Sequence, residues 1–486
     1  MNKRVVLYNL GRITWMASLL LLIPVIVSFV FADGCALSFL VSAVLMFGFG
    51  FLLTLFKPKK LVSYAKEGFV TAALIWVVFS LFGAMPFVLS KSIPSYIDAF
   101  FETVSGFTTT GASVLTNVEI MPPSILFWRS FTHWVGGMGV LALAIALMPK
   151  RAGGSADNTA VHLLKAETPG PTFGKLVSKL RYNVRILYGI YTVMTVIQVV
   201  LLLLGGMPVF DSILTAFGTA GTGGFGIRNS SIAYYNSAYI DAVISIFMML
   251  FGVNFNIYYF ILAGKFLKIL KSEELRWYLL IMGGATAAIT VNILPMYKNG
   301  LEAVRYAFFQ VSSLMTTTGY VTADYELWPV FSRIVLVLLM FVGACASSTG
   351  GGLKISRVII LVKSAFRELR HQVSPREVHV IRCDDEPQTP EVVKGVSSYF
   401  LIYMLIMLLS VLVISLDGFD PTTTATSVIA CLNNIGPGLG EVGATGNYAQ
   451  FSVLSKLVLS FNMLAGRLEL YPLLILFSPS IWRKTV

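Results

Sequence analysis

Residues 100–113, with the sequence FFETVSGFTTTGAS, form the stretch around which the rest of the chain is organised. The stretch is too short to span a bilayer, becomes polar at its end, and lies between two apolar runs that are long enough. This pattern predicts a helix that enters the membrane and stops, followed by an extended Thr/Gly segment. Non-helical backbone at membrane depth is tolerated only where it is buried in protein or lines water. We therefore expect the oxygens of residues 108–111 to line a pore, where they replace the hydration shell of a cation.

This stretch has three counterparts farther along the chain. Residues 308–320 (FFQVSSLMTTTGY) nearly copy it, residues 212–226 (SILTAFGTAGTGGFG) are similar, and residues 428–440 (VIACLNNIGPGLG) diverge most. One repeat supplies a quarter of a ring, so four repeats in one chain can close it. In this alignment Pro437 stands where the other segments have Thr, which predicts fewer hydroxyl ligands in the fourth segment. The predicted cation ligands are Thr109, Thr110, Gly111, Gly221, Thr222, Gly223, Thr317, Thr318, Gly319, Ile435, Gly436, Pro437 and Gly438, with Gly111, Gly223, Gly319 and Gly438 aligned.

The composition indicates a multi-pass membrane protein. The chain is 56% hydrophobic and only 12% charged, whereas soluble domains carry about a quarter charged residues. Its net charge of +12 follows membrane topology and not nucleic-acid binding. If residue 1 is cytoplasmic, 28 of the 36 Lys and Arg residues fall in cytoplasmic segments or at their edges, as the positive-inside rule requires.

The segments assigned to the outer face have the opposite charge balance, with twelve Asp and Glu residues against seven Lys and Arg residues. This balance predicts an acidic vestibule that concentrates cations. Ordinary solvated loop charge is the alternative. The four cysteines form no CxxC pair and the four histidines show no metal-ligand spacing. No P-loop, nucleophile elbow or HExxH motif is present, so the sequence predicts neither an enzyme nor an organic cofactor.

The fold predicted is all-α and polytopic. Four repeats, each made of a span, a pore loop and a second span, surround one pseudo-fourfold pore, and two extra spans precede them. The predicted units are an N-terminal two-span hairpin at 1–62, pore repeats at 63–150, 183–271, 272–365 and 392–486, and cytoplasmic loops at 151–182 and 366–391.

The second span of the third repeat is unusual in its length and glycine content. Its apolar pattern covers residues 327–365 and is longer than one straight crossing of the membrane, which needs about 20 residues. The sequence GACASSTGGG at 343–352 interrupts this pattern. Because glycine costs about 1 kcal/mol relative to alanine inside a helix, we expect this segment to unwind at mid-membrane depth. A glycine-rich packing seam is the alternative. The segment contains Gly343, Ser347, Ser348, Thr349, Gly350, Gly351 and Gly352.

Arg467 lies in the last predicted span, within FNMLAGRLELYP. A membrane-buried arginine costs ~2.5 kcal/mol or more and usually faces the bundle interior or water, so Arg467 is a functional candidate. Glu469 points to another face of the helix and is a poor local partner. The alternative is a structural salt bridge from Arg467 to another helix.

These motifs resemble the Trk/Ktr/HKT superfamily of potassium transporters and, within it, the TrkH subunits of bacteria. The resemblance covers the whole chain and includes RSFTHWVGGMGV at 129–140 and GACASSTGGGLK at 343–354. It implies potassium uptake across the bacterial cytoplasmic (inner) membrane through a channel-like pore, with potassium bound in the filter. It further implies that residues 343–352 form an intramembrane gate and that Arg467 faces the pore nearby. Relatives with serine for the glycine at position 111 tend to admit sodium, so glycine in all four segments favours potassium.

The resemblance also implies partners. These are membrane lipid, a second copy of the chain in a homodimer, and a cytoplasmic ring of nucleotide-binding TrkA-like subunits, which the basic segments at 150–185 and 363–394 could face. A secondary transporter (symporter) that couples potassium to protons or sodium is the main alternative. Such coupling usually needs a buried acidic relay, and none is clear at mid-depth. A membrane enzyme is a third possibility, disfavoured because no catalytic constellation is present.

Overall fold

The structure is a computed structural model that describes residues 1–58, 65–139, 180–377, 379–384 and 386–482. The loop predicted at 151–182 lies, up to residue 179, outside these residues, as does the end of the first repeat. The described residues are mainly helical, and their strands Arg382–Cys383 and Glu386–Pro387 form an antiparallel hairpin. The α-helices are Lys3–Ala17, Leu22–Phe31, Ala36–Thr54, Ala65–Gly83, Met85–Leu89, Tyr96–Phe107, Pro123–Gly137, Leu180–Leu204, Val209–Gly221, Ala238–Phe251, Phe255–Leu262, Phe266–Leu270, Glu273–Ile293, Gly300–Met315, Val330–Val342, Ile355–Val373, Pro390–Ile414, Pro421–Leu432, Val453–Arg467, Tyr471–Ile475 and Pro479–Trp482.

Six helical runs within the described residues are long and apolar enough to cross a membrane. A seventh crossing results if Ala238–Phe251 and Phe255–Leu262 are counted together, although the two helices meet at 90°. The predicted class, an all-helical polytopic membrane protein, is therefore confirmed. The six runs are Lys3–Phe31, Ala36–Thr54, Lys66–Leu89, Val184–Leu204, Glu273–Met296 and Pro390–Asp417.

The first two runs form a tight hairpin that crosses at two glycines. A Cβ on Gly50 would stand 2.5 Å from the backbone nitrogen of Trp15, and one on Gly11 would stand 2.6 Å from the carbonyl oxygen of Gly50. Small residues at such a crossing let two membrane helices approach closely. The close crossing fixes this hairpin as one unit, which then packs against Ala65–Gly83.

Four short helices occupy the places predicted for pore helices. Three of them begin at a side-chain cap: Ser95, Asn299 and Asp420 each accept a hydrogen bond from a backbone N–H of the first turn. Hydrogen bonds from the Thr423 hydroxyl and backbone lower the pKa of Asp420, because they stabilise its carboxylate. The helices, called short helices 1 to 4 below, are Tyr96–Phe107, Val209–Gly221, Gly300–Met315 and Pro421–Leu432.

The helix that follows each short helix ends early, which the sequence predicts only for the third repeat. The sequence analysis does not anticipate the breaks at the ends of Pro123–Gly137, Ala238–Phe251 and Val453–Arg467. Glycine near each end explains the breaks, because it is a weak helix former and lets backbones approach closely. A Cβ on Gly136 would overlap the carbonyl oxygen of Phe107, and one on Gly466 that of Leu432. The four helices are Pro123–Gly137, Ala238–Phe251, Val330–Val342 and Val453–Arg467, and the glycines are Gly136, Gly252, Gly343 and Gly466.

The segment predicted as a cytoplasmic loop at 366–391 is partly ordered into regular structure. The helix Ile355–Val373 extends past residue 366, where the loop was predicted to begin, and the hairpin of strands Arg382–Cys383 and Glu386–Pro387 follows it. The Lys363 ammonium donates to the carbonyl oxygen of Arg382 at 2.7 Å and to Glu273 Oε2 at 2.7 Å. This contact ties the hairpin to the start of the helix Glu273–Ile293.

We expect Pro375→Cys to react with a membrane-impermeant thiol reagent only from the cytoplasmic side and Lys298→Cys only from outside. Both positions are exposed, and the distribution of basic residues places them on opposite sides. Intact cells and inverted membrane vesicles are compared after labelling. The background protein, in which Cys35, Cys345, Cys383 and Cys431 are replaced by alanine, serves as the unlabelled control. Cytoplasmic labelling of Lys298→Cys would overturn the topology.

Candidate functional site

The four segments that follow the short helices share one backbone pattern. A residue with φ between 54° and 61° is followed by a residue whose N–H donates to the carbonyl oxygen five residues earlier. A glycine with φ between 70° and 94° comes next. The matching triplets are Thr109, Thr110 and Gly111; Thr222, Gly223 and Gly224; Thr317, Thr318 and Gly319; and Asn434, Ile435 and Gly436.

This pattern corrects the predicted alignment of the second segment. Gly223 occupies the position of Thr110, and the counterpart of Gly111 is Gly224. Short helix 2 is closed by Thr222 in the left-handed conformation, and two glycines follow it. Sequence comparison cannot choose between two adjacent glycines, because only the backbone angles distinguish them. Gly221, also predicted as a ligand, is the last residue of the helix and not part of the triplet.

The fourth segment is corrected by two positions. Gly436 is the counterpart of Gly111, so Pro437 follows the triplet and does not stand in the place of a threonine. The residues that stand in the places of the two threonines are Asn434 and Ile435. Gly438 lies outside the triplet, where its N–H donates to the carbonyl oxygen of Val442 at 2.7 Å and its own carbonyl accepts from Tyr325 Oη at 2.9 Å.

The four corrected glycines form a closed ring of contacts. A Cβ on Gly111 would overlap the carbonyl oxygen of the second segment's middle residue, Gly223, and each later glycine meets the next segment in the same way. The last contact returns to the first segment, because a Cβ on Gly436 would stand 2.6 Å from the carbonyl oxygen of Thr110. The other two contacts are Gly224 with Thr318 and Gly319 with Ile435. Only residues without a side chain permit this approach at all four places.

The carbonyl groups of this ring have no hydrogen-bond donor among the described residues. The carbonyl oxygens of the four middle residues accept no hydrogen bond from any residue that the structure describes. Buried carbonyl groups are normally paired, so four unpaired ones in one ring indicate a site for another partner, such as a cation. The middle residues are Thr110, Gly223, Thr318 and Ile435.

The threonine hydroxyls are mostly engaged within the protein, contrary to the expectation that they face a pore with the carbonyls. Thr110 Oγ1 lies 2.8 Å from Thr108 Oγ1 and accepts from Asn434 Nδ2 at 3.0 Å. Thr318 Oγ1 lies 2.8 Å from Thr316 Oγ1. These bonds orient the segments, so the backbone carbonyls are the principal candidate ligands. Within the described ranges no group of three or more His, Cys, Asp or Glu side chains could hold a metal ion.

A cavity of about 170 Å³ opens on one side of the ring and is lined in part by Gly111, Gly224, Gly319 and Gly436. The prediction of an acidic vestibule is wrong for this cavity. The described lining of the cavity contains two arginines, Arg129 and Arg228, and no Asp or Glu. Five of the outer acidic residues instead pair with outer basic residues. The pairs are Asp98–Lys456, Glu102–Arg129, Asp211–Arg228, Asp241–Arg305 and Glu326–Arg333.

The glycine-rich segment of the third repeat is non-helical between Val342 and Ile355 and packs against the ring segments. The N–H of Gly351 donates to Thr317 Oγ1 at 2.6 Å, and that of Gly352 donates to the carbonyl oxygen of Asn433 at 3.1 Å. The segment thus lies directly against the ends of short helices 3 and 4.

The same segment also contacts the break in the second repeat. The Thr349 hydroxyl donates to the carbonyl oxygen of Phe251 at 3.2 Å, and the N–H of Cys345 donates to that of Gly252 at 3.0 Å. The Ser348 hydroxyl donates within the segment, to Cys345, and Ser347 has φ of 55°. Several polar groups of the segment are therefore bonded to other parts of the protein in this conformation.

Two positively charged side chains hold neighbouring carbonyls of this segment. Arg467 donates to the carbonyl oxygen of Thr349 at 2.8 Å and, from its other terminal nitrogen, to Gly136 and Gly137 of the first repeat. The buried ammonium of Lys354 donates to the carbonyl oxygen of Gly350. Arg467 therefore joins the third-repeat segment to the first repeat.

Glu469 does not pair with Arg467 but with Arg357 of the helix Ile355–Val373. Sequence reasoning missed Lys354 as a charge at this site, although it directly follows the glycine-rich segment. It also missed Asn434, whose readiness to adopt a positive φ could have marked the fourth triplet. A positively charged residue beside a glycine-rich break is the signal that would have found Lys354.

These features define a multi-pass helical membrane protein with a central ring of unpaired carbonyls. The sequence model of the TrkH family, described as a cation transport protein, matches residues 28–484. The chain therefore belongs to the TrkH family, which confirms the resemblance inferred from its motifs.

Individual relatives are similar over their full length. The chain is 34% identical over 490 residues to the Trk system potassium uptake protein TrkH of Escherichia coli (strain K12), with 100% of both chains covered. It is 33% identical over 492 residues to the Trk system potassium uptake protein TrkG of the same strain, with 99% of both covered. The crystal structure of the potassium transporter TrkH from Vibrio parahaemolyticus matches with a TM-score of 0.88 and 31% identity, covering 99% of this chain and 100% of that one.

Proposed function

We propose that this protein carries potassium ions into the cell across the bacterial inner membrane through a channel-like pore. The closed ring of four glycine–carbonyl contacts is the observation that supports this proposal most directly. Relatives that are similar over their whole length are named as potassium uptake proteins, and the solved structure is that of a potassium transporter. The transported potassium ion is thus the substrate, and the chain needs no organic cofactor.

In this proposal the ring is the selectivity filter. The carbonyl oxygens of Thr110, Gly223, Thr318 and Ile435 replace the hydration shell of the ion. The four short helices end at these segments, so the negative ends of their dipoles favour a cation there. The helix-end and carbonyl dipoles together stabilise a positive charge without an acidic side chain, which fits a cavity whose described lining contains no Asp or Glu.

The glycine-rich segment acts as the gate. It lies against the ring segments of the third and fourth repeats, and the cations Arg467 and Lys354 bind its carbonyls. Positive charges at this level oppose the passage of a cation while the segment is in place. Glycine can change conformation at low cost, so withdrawing Gly350, Gly351 and Gly352 opens the path.

The force for opening comes from a cytoplasmic partner, which we propose to be a TrkA-like ring of nucleotide-binding subunits, with the chain itself a homodimer in lipid. The helix Ile355–Val373 directly follows the gate, and its last turn carries Arg370 and His371. Moving this helix pulls on Lys354 and hence on the carbonyl of Gly350.

The alternative function is transport of potassium that is coupled to protons or sodium. Such coupling would need a buried acidic side chain. Glu102, the acid of short helix 1 nearest the ring, is paired with Arg129.

Reversal potentials of the purified protein in lipid vesicles test this function. For a potassium channel we expect the reversal potential to shift by about 59 mV for each tenfold change in the potassium gradient. A pH or sodium gradient alone should leave it unchanged. Empty vesicles are the control. A shift with the pH or sodium gradient would favour coupled transport, and the absence of potassium flux would refute the proposal.

A further inference from the structure

A buried ion pair beside the ring has no part in the mechanism above. Glu102 of short helix 1 is 1% exposed and Arg129 of the following helix is 2% exposed. Arg129 Nε donates to Glu102 Oε1 at 2.8 Å. Burying two charges is costly unless their remaining polar atoms are also satisfied, so the other partners of the pair show which parts of the protein it holds in place.

Glu102 holds the segment that leaves the ring in the first repeat. Its Oε1 accepts from the Ser113 hydroxyl at 3.0 Å, and its Oε2 accepts from the N–H of Val114 at 3.0 Å. Ser113 and Val114 stand two and three residues after the ring glycine Gly111. The carboxylate therefore fixes the chain immediately beyond the first quarter of the ring.

Arg129 extends this support to the second repeat. Its Nη1 donates to the carbonyl oxygen of Gly226 at 3.1 Å, and its guanidinium carbon lies 4.1 Å from the centre of the Phe225 ring. These residues directly follow the ring glycine Gly224. Its Nη2 also donates to the Ser113 hydroxyl at 3.3 Å. One side chain thus joins the segments that leave the first and second quarters of the ring.

The equivalent positions of the other repeats carry no such pair. Gln310 stands eight residues before Thr318, as Glu102 stands eight residues before Thr110. With its amide oriented to satisfy both of its polar atoms, Gln310 accepts from the backbone N–H groups of Thr322 and Ala323 at 3.0 and 3.2 Å. The third repeat therefore supports its own segment with an uncharged side chain. The second and fourth repeats have Thr215 and Ser427 at this position.

We propose that Glu102 and Arg129 are positioning residues for ion selectivity, which set the spacing between the Gly111 and Gly224 quarters of the ring. The proposal rests on the proposed function of the ring as a potassium filter. A ring whose quarters can move adapts to the smaller sodium ion, whereas quarters joined by a planar, five-donor guanidinium do not. The pair therefore contributes to the preference for potassium without contacting the ion.

The first test compares Arg129→Lys with Asp241→Asn. Lysine keeps the charge but lacks the fork that reaches both Ser113 and Gly226, so we expect the potassium-over-sodium permeability ratio to fall about threefold to tenfold. Asp241 is equally buried and also pairs with an arginine, Arg305, but lies outside the ring segments. Its variant should keep the wild-type ratio. The ratio is measured from bi-ionic reversal potentials on protein purified in folded form.

Two further variants separate positioning from folding. The double variant Glu102→Gln/Arg129→Gln removes both charges, so no unpaired charge stays buried, and it should fold with a lowered ratio. Ser113→Ala removes only the shared hydroxyl and should give a smaller decrease. A merely structural role would lower the yield of folded protein and leave the ratio of the folded fraction unchanged; that result, or an equal effect of Asp241→Asn, would overturn the proposal.

A measurement without flux completes the test. The unfolding temperature of the wild type should rise more in potassium than in sodium, because an ion that binds the native state stabilises it. This difference should shrink in the Arg129 and double variants. If the wild type conducts no potassium, the proposed function fails. If it conducts selectively and all variants keep its ratio and its unfolding difference, only the positioning role fails.

Discussion

Replacing Gly111 with serine is expected to lower the potassium-over-sodium preference about tenfold or more, a change equivalent to about 1.4 kcal/mol. The added Cβ would overlap the carbonyl oxygen of Gly223, one of the four proposed filter oxygens. The φ of 82° at Gly111 also disfavours any other residue. The filter must widen or distort at this quarter, and a distorted oxygen ring loses its match to potassium.

Gly206 provides a matched control for backbone strain. It has the same φ of 82°, but nothing lies within 4 Å of a Cβ built there. Gly206→Ser therefore carries the strain without the clash and should keep the wild-type preference. Bi-ionic reversal potentials of both variants measure the difference. Flux with unchanged preference in Gly111→Ser would show that Gly111 is not in the filter.

Deleting residues 347–350 is expected to raise potassium flux in the absence of the cytoplasmic partner about tenfold or more, if the open state of the wild type is a minor one. The deletion removes the Thr349 and Gly350 carbonyls that Arg467 and Lys354 hold. It also draws Gly351 away from Thr317. The path beneath the ring is then open without the partner, so the response of flux to the partner should weaken.

Point variants at Arg467 give a milder form of the same test. Arg467→Ala removes the link between Thr349 and the first repeat and should raise the flux without partner. Arg467→Lys keeps the positive charge and should remain closer to the wild type. Isotope uptake into vesicles, with and without the cytoplasmic partner, measures both. Should the deletion variant fold normally yet keep wild-type flux and partner dependence, the segment is not the gate.

The sequence predicted the short helices well because their boundaries follow from local chemistry. Ser95, Asn299 and Asp420 are capping residues, and an apolar run follows each of them. The register of the ring was harder to predict. Gly224 and Gly436 each have another glycine within two residues, and the choice depends on contacts between repeats that are far apart in the chain.

The breaks in the second spans show the same limit. Gly343 was recognised because six of the other nine residues in 343–352 are also Gly, Ser or Thr. Gly136 and Gly466 stand in runs with fewer glycines than residues 343–352, and each glycine costs only about 1 kcal/mol in a helix. They break their helices because the carbonyls of Phe107 and Leu432 pack against them. The pairing of Glu102 with Arg129 likewise joins two helices and leaves no periodic signal in either.

The contact between Gly436 and Thr110 has a consequence for how the chain is made. Asn434 and Thr110, which also bond to each other, are 324 residues apart, and Lys456 and Asp98 are 358 residues apart. During synthesis the ring segment of the first repeat has no partner on one side until the segment of the fourth repeat has been inserted. Until then, the three inserted ring segments leave an open edge of polar backbone in the bilayer. Contacts of such long sequence separation form slowly. Biogenesis thus depends on protecting an intermediate whose ring is incomplete. A chain that stops before the fourth segment cannot close the ring.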